Sequence, residues 1–477
     1  MRLVALLGVV ACCGSAFADR VDDLIAAEMQ RQHIPGLALA IVQDGKVVKE
    51  QGYGVANLEH DVPVTPETMF QTGSLGKPFT AALTLFLVDD EKFSLDDRIS
   101  THLPGTPESW SEITIRQLLT HTSGLVSFDD TIDLRRDYSD RELLASMAKL
   151  PLLFPPGEGW SYSNLGYQVL GMLCSKAGGA FYGDQLRERI FAPSGMKARV
   201  VADRSIVPHR AHGYDRVAGQ FMNEEWVAPS QDATADGGVY ASAHDLVRWS
   251  MALDTDDLLS REMKDASWSP ARLKDGSATE YGFGWELRSV NGHRVIQHPG
   301  AWRGFSTQFA RYPDDKLTII VLTNRSRARP ERIVERIAGF YIPDLKIGPP
   351  TKATLSATPA FVRGSMNGWQ ADRDRMIEVA DGAFEVEIAL EPGQHTFRIA
   401  SEDWTAVDLG GPFDEPTLNL EQTTNMEWRG ESLNVDVPQA ATYLFRLDVR
   451  VDDEIYITVG RRVSEETARE NSPGAVH

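Results

Sequence analysis

Residues 346–358, KIGPPTKATLSAT, divide the chain into two parts whose apolar patterns cannot belong to one fold class. Beyond this Pro/Thr/Ser-rich stretch the pattern is short alternating runs only, among them RMIEVADGAFEVEIAL, GQHTFRIAS, ATYLFRLDVR and EIYITVG. That period-two pattern with turn residues between predicts an all-β sandwich over 359–462, close to the roughly 100 residues usual for such a domain. The stretch itself is expected to be a linker, and 463–477 a disordered tail.

Before the divide the pattern is mixed. DRVDDLIAAEMQRQHI reads as a helix stopped by Pro35-Gly36. LALAIVQDGKVVKEQGYG gives two strands around Asp44-Gly45, a strong hairpin signal. From Ser74 to about residue 260 the periodicity is mainly helical, with Ser242 and Asp245 spaced as a capping box. Strand patterns return at YGFGWELRSV, HRVIQHPG and FSTQFARYPDDKLTIIVLTN, and PERIVERIAGFYI closes the part as a helix. Strands from both ends and helices from the middle predict an α/β (α+β) layer: an antiparallel sheet with a helical subdomain inserted, over 19–345.

The first 18 residues, MRLVALLGVVACCGSAFA, carry one arginine, an apolar run from Leu3 to Ala11 and Ala16-Phe17-Ala18, the pattern of a secretory signal peptide. The run is too short to span a bilayer, and no later stretch is long and apolar enough. The chain is therefore expected to be exported, periplasmic or extracellular, and not integral to a membrane. A rival reading makes Cys12 a lipoprotein anchor. With Cys12 and Cys13 inside the signal, Cys174 stands alone and is expected to be a buried small hydrophobe. The net charge of −20 argues against nucleic acid, since phosphate binding needs a basic surface.

The chemistry concentrates in three short segments. TGSLGK places Ser74 and Lys77 one helical turn apart at the start of an apolar helix. Ser74 is there expected both to cap the helix and to act as a nucleophile, Lys77 accepting its proton. GWSYSN places Tyr162 and Asn164 before another helix, and QHPGAW places His298, Gly300 and Ala301 at the end of a strand.

These three, in this order and with ITIRQLLTHTSGL, IFAPSGMKAR, DGGVYASAHDLVRW and IIVLTN around them, resemble the serine β-lactamase and penicillin-binding-protein family over residues 20 to 342. The similarity is to its class C-like branch, which includes D-alanyl-D-alanine carboxypeptidases, D-aminopeptidases and esterases. The resemblance implies a β-lactamase-like fold with Ser74, Lys77 and Tyr162 catalytic and Asn164 on the substrate. It implies an oxyanion hole from the N–H groups of Ser74 and Ala301 beside His298 and Gly300. No cofactor is implied, and the partner is a small-molecule or peptide substrate. One departure stands out: class C β-lactamases have Lys-Thr-Gly where this chain has His298-Pro299-Gly300. A histidine is mostly neutral at pH 7, which argues against efficient β-lactam hydrolysis and leaves weak hydrolysis or D,D-carboxypeptidase activity as an alternative. A non-catalytic penicillin- or glycan-binding protein is the alternative of another class.

His121 in the segment THTSGL reads as part of a structural turn. His209 and His212 have no cysteine or carboxylate pattern to complete a metal site, and none is expected. Trp302, Arg303 and Tyr240 are expected either to line the cleft or to pack around it. In the C-terminal part, FVRGSMNGWQ and FRIASEDWTAVDLGG resemble the family 48 carbohydrate-binding modules found at the N-terminus of pullulanases, with an immunoglobulin-like fold. That resemblance implies sugar stacking on Trp369 and Trp404 and a glucan or cell-wall polysaccharide partner. Thr396 stands where some members have a lysine.

Overall fold

The computed structural model describes residues 12–127, 132–345, 350–404, 406–412, 416–450 and 454–462. The apolar run Leu3–Ala11, residues 346–349 and the tail 463–477 lie outside the described residues. The chain forms two compact units, Met1–Lys346 and Ile347–His477.

In the first unit, helix α1 (Cys12–Arg31) precedes the hairpin of β1 (Gly36–Gln43) and β2 (Lys46–Asn57), turned at Asp44-Gly45 as the sequence predicts. A two-residue strand β3 (Val62–Pro63) follows. The helical middle includes α2 (Lys77–Asp89), α3 (Asn164–Gly178) and α4 (Ala243–Asp254). Strands β4 (Glu286–Val290), β5 (His293–Trp302), β6 (Phe305–Tyr312) and β7 (Leu317–Thr323) return to the sheet, and α5 (Pro330–Tyr341) closes it. The sheet order is β3-β2-β1-β7-β6-β5-β4, antiparallel throughout.

β1 and β7 lie side by side at the centre, from Leu37 opposite Thr323 to Gln43 opposite Leu317. Both are buried on both faces, which is why they read as unbroken apolar runs. Leu37, Leu39 and Ile41 pack with Ile319 and Val321 against Ile25 of α1 and Ile333 and Ile337 of α5. Ala38, Ala40 and Val42 face the other way with Ile320 and Leu322, into a core shared with Phe79 of α2 and Trp249 of α4. One sheet thus separates a terminal helix layer from the inserted helical subdomain. α4 begins with the expected box: Ser242 Oγ accepts from Asp245 N, and Asp245 Oδ2 accepts from Ser242 N, both at 3.0 Å.

Two expectations fail locally. Ser74 does not cap a helix: Gly73–Gly76 is a tight 3-10 turn, and α2 starts at Lys77 with Gly76 before it and no side-chain cap. The turn is forced by Gly73, whose φ of +56° and close approach to the main chain of Ala301 leave no room for a regular first turn. Nor is 346–358 a featureless linker. Helix α6 (Lys352–Ala357) forms there because Thr351 and Thr354 cap it reciprocally, at 3.2 and 3.3 Å. Leu355 then joins the second unit's core beside Val362, Phe397 and Phe445. That unit is otherwise all β. Ala383–Leu390 pairs with Ala441–Val449, which pairs with Ile455–Arg461, and Gly393–Ala400 pairs with Leu433–Val437 and Phe361–Gly364.

Candidate active site

Three elements converge on Ser74. The nucleophile candidate sits in the 3-10 turn, Lys77 is the first residue of α2, and Asn164 opens α3, whose start is capped by Ser163 Oγ accepting from Gly166 N at 3.0 Å. Lys77 is fully buried. Its Nζ lies 3.0 Å from Ser74 Oγ, 2.7 Å from Asn164 Oδ1 and 2.8 Å from the main-chain carbonyl of Asp236. It also sits 4.8 Å from the centre of the Tyr162 ring and 5.5 Å from that of Tyr167. Burial pushes the lysine down to about 7, with the charge of Asp236 opposing. Both protonation states are therefore populated near neutrality, the condition for an amine that must both take and give a proton.

Asn164 is engaged on both sides, since its Nδ2 donates to Ser127 Oγ at 3.1 Å. It fixes Lys77 as much as it faces any ligand. Tyr162 Oη is buried. Burial drives its phenol well above the ordinary value, with Ser74 opposing from hydrogen-bonding range, so it stands as a protonated O–H beside the serine.

The strand side comes from β5. His298 lies opposite Phe309 and Gly300 opposite Thr307 on β6. His298 is buried, and both ring nitrogens are taken: Nδ1 donates to the carbonyl of Pro299 at 2.6 Å, so Nε2 accepts from Tyr281 Oη at 2.8 Å. Burial and the nearby Lys77 push the imidazole down to about 3, and it is neutral at any working pH. Gly300 is where β5 meets the Ser74 turn: a Cβ there would fall 1.9 Å from the carbonyl oxygen of Thr72.

The structure thus brings together Ser74, Lys77, Tyr162 and Asn164, with His298, Gly300 and Ala301 on the adjoining strand. Three participants escaped the sequence reading. Tyr281 holds His298. His121, read as a turn residue, accepts from Ser163 N at Nδ1 (3.1 Å), and its ring lies 4.3 Å from that of Tyr162. Asp232 accepts from Gln71 Nε2, Trp302 Nε1 and Tyr240 Oη at 2.7, 2.9 and 3.0 Å. These four residues and Arg303 line a cleft of about 430 Å³. Local spacing gave little signal of them, because contacts such as Gln71–Asp232, Trp302–Asp232 and Ser163–His121 join segments 42 to 161 residues apart.

Cys174 is buried as expected, with its thiol pushed up to about 12 by burial. Among the described residues no group of three or more His, Cys, Asp or Glu side chains is arranged to hold a metal ion, and no helix is long and apolar enough to cross a membrane. In the second unit the rings of Trp369 and Trp404 lie 6.3 Å apart at 36°. The Arg363 guanidinium sits 4.1 Å from the centre of the Trp404 ring, and the Thr396 hydroxyl donates to Asn434 Oδ1.

Comparison with known proteins bears on the family and the fold. The family model described as Beta-lactamase matches residues 21–341. A penicillin-binding protein of Bacillus subtilis (strain 168) is 32% identical over 321 residues, covering 62% of this chain and 69% of the relative. A D-aminopeptidase of Gluconobacter oxydans (strain 621H) is 27% identical over 393 residues, covering 79% and 71%. The fold matches the octameric penicillin-binding protein homologue from Pyrococcus abyssi with a TM-score of 0.65 at 20% identity, over 92% of this chain and all of the other. A match through residues 21–341, the whole span that builds the sheet, the helical insert and the convergent side chains, makes this chain a serine hydrolase of the beta-lactamase family.

Proposed function

We propose that the protein is an exported serine hydrolase that forms an acyl-enzyme on Ser74 and cleaves a small ester, amide or D-amino-acid peptide. The observation that carries this reading is the 3.0 Å contact between Ser74 Oγ and the Nζ of a fully buried Lys77. In its neutral form Lys77 takes the Ser74 proton as Oγ bonds to the substrate carbonyl carbon. The carbonyl electron pair moves to oxygen, held by the N–H groups of Ser74 and Ala301. When the pair returns, the leaving group departs with its bonding electrons and takes a proton from Tyr162 Oη–H, which Lys77 replenishes. Water then attacks the ester on Ser74 by the same route in reverse order.

The neutral, doubly engaged His298 favours esters and amides over β-lactams, whose carboxylate has no cation from this residue. The relatives named as penicillin-binding protein and D-aminopeptidase support a peptide-like substrate. A fluorophosphonate probe should label the chain, and peptide mapping should place the adduct on Ser74. No labelling, or an adduct elsewhere, would overturn the proposal in favour of a binding protein.

For the second unit the proposal is an immunoglobulin-like sandwich that presents Trp369 and Trp404 to a glucan. The paired rings support it; Arg363 covers part of one of them. The full chain should sediment with insoluble glucan, and the Trp369→Ala/Trp404→Ala variant should stay in solution. Equal partitioning of the two would remove sugar from the account.

A further inference from the structure

Asp236 belongs to the segment ATADGG, whose main chain lies against the Ser74 turn. A Cβ on Gly237 would come within 3.1 Å of the carbonyl carbon of Gly73, and Ala235 O accepts from Thr80 Oγ1 of α2 at 2.7 Å. The Asp236 carbonyl is one of the three acceptors around Lys77 Nζ. Its side chain does something else. The residue is 3% exposed, and Oδ1 is buried with no hydrogen-bond partner. A buried carboxylate oxygen without a donor is stabilised by an opposite charge close by.

The titratable groups around it come from several segments. Lys77 lies on α2, Tyr162 just before α3, and Tyr182 beyond the end of α3; all three feel the Asp236 charge. Tyr167 on α3, His121 before α3 and His298 on β5 complete the surroundings of Lys77. The phenols are neutral, and both histidines are held neutral by burial. Among these groups Lys77 is the cation, its Nζ 2.8 Å from the Asp236 main-chain carbonyl.

We propose that Asp236 is a positioning residue, the buried counter-charge that keeps a proton on Lys77 and so sets the pH range in which Ser74 is activated. The inference rests on Lys77 serving as the base for Ser74. It explains why a carboxylate oxygen stands in the interior without a donor. It also explains what holds the lysine near neutrality against a burial that alone would leave it uncharged.

The test is the pH profile of kcat/KM for p-nitrophenyl acetate in the wild type, Asp236→Asn and Asp236→Glu. The amide has the same shape and no charge. Removing a negative charge lets burial lower the lysine further, so the neutral base appears at lower pH. The acid limb, expected near the Lys77 transition at about 7, should move down by about one pH unit or more in Asp236→Asn. In Asp236→Glu it should stay with the wild type. A lower rate with an unmoved limb, or a limb that moves up, overturns the proposal and leaves Asp236 a structural residue. If the amide variant does not fold by circular dichroism, Asp236→Ala is read by the same criterion. The Ser74→Ala variant is run beside them. Turnover that survives in it would sink the serine reading itself, whereas a dead Ser74→Ala with an unmoved limb sinks only the role of Asp236.

Discussion

Replacing Ser74 by alanine should lower kcat/KM for a short-chain p-nitrophenyl ester by at least about a thousandfold, with the fold intact. The second half of that statement follows from the turn. Ser74 Oγ caps nothing, and the conformation of 73–76 is set by Gly73 against Ala301, so deleting one oxygen leaves the turn in place. Lys77→Met should cost activity to a similar degree for a different reason: the serine stays, but the proton has nowhere to go. The double variant should be no slower than either single one, because the two groups act as a unit. Thermal stability separates the two changes. Lys77 is fully buried, and methionine leaves Asn164 Oδ1 and the Asp236 carbonyl without their donor and the Asp236 carboxylate without a nearby cation, so Lys77→Met should melt below Ser74→Ala. Steady-state kinetics and a thermal melt check both points; activity above about a tenth of wild type in either single variant would contradict the serine–lysine assignment.

Gly300→Ala should be nearly as damaging without removing any reacting group. Its added methyl would lie 1.9 Å from Thr72 O and 2.3 Å from Thr307 Oγ1, with Leu75 N at 3.1 Å. The main chain of the turn cannot yield as a flexible side chain would, so β5 and the turn must separate. Overpacking of this kind costs about 1–3 kcal/mol or more. A displacement of about 1 Å between Ser74 and β5 is enough to lower turnover by about a hundredfold. Gly276→Ala is the control. It replaces a glycine with φ of +89° and nothing within 4 Å, so it carries backbone strain without a clash. Melting curves and ester kinetics on the pair decide it; equal, mild effects would mean that the approach at Gly300 is not tight.

The parts of the fold visible in the sequence are those fixed by neighbours in the chain. Asp44-Gly45 set the hairpin, Ser242 and Asp245 set the start of α4, and the runs LALAIV and LTIIVLT are central strands because both their faces are covered. Ser74 and Lys77 were legible because one helical turn separates them. What was hidden depends on partners that no local period brings together. Whether Ser74 caps a helix is decided by Ala301, more than two hundred residues later. Tyr281 is ordinary until His298 turns its Nε2 toward it, and Asp236 is one acid among many until burial removes its water. The helix inside the presumed linker failed for another reason: its capping threonines look like spacer composition.

The pairing of β1 with β7 has a consequence for how the molecule comes into being. The strand at Gly36–Gln43 leaves the ribosome long before Leu317–Thr323 exists to lie beside it. Until then an apolar hairpin has one unsatisfied edge, and closing it joins segments some 280 residues apart. The serine and its lysine are made early, yet β5, the strand that confines their turn, arrives only shortly before β7. A nascent or truncated polypeptide that ends before β7 therefore carries the reactive pair without the completed sheet around it. The sheet that confines the serine can close only once Thr323 has been made.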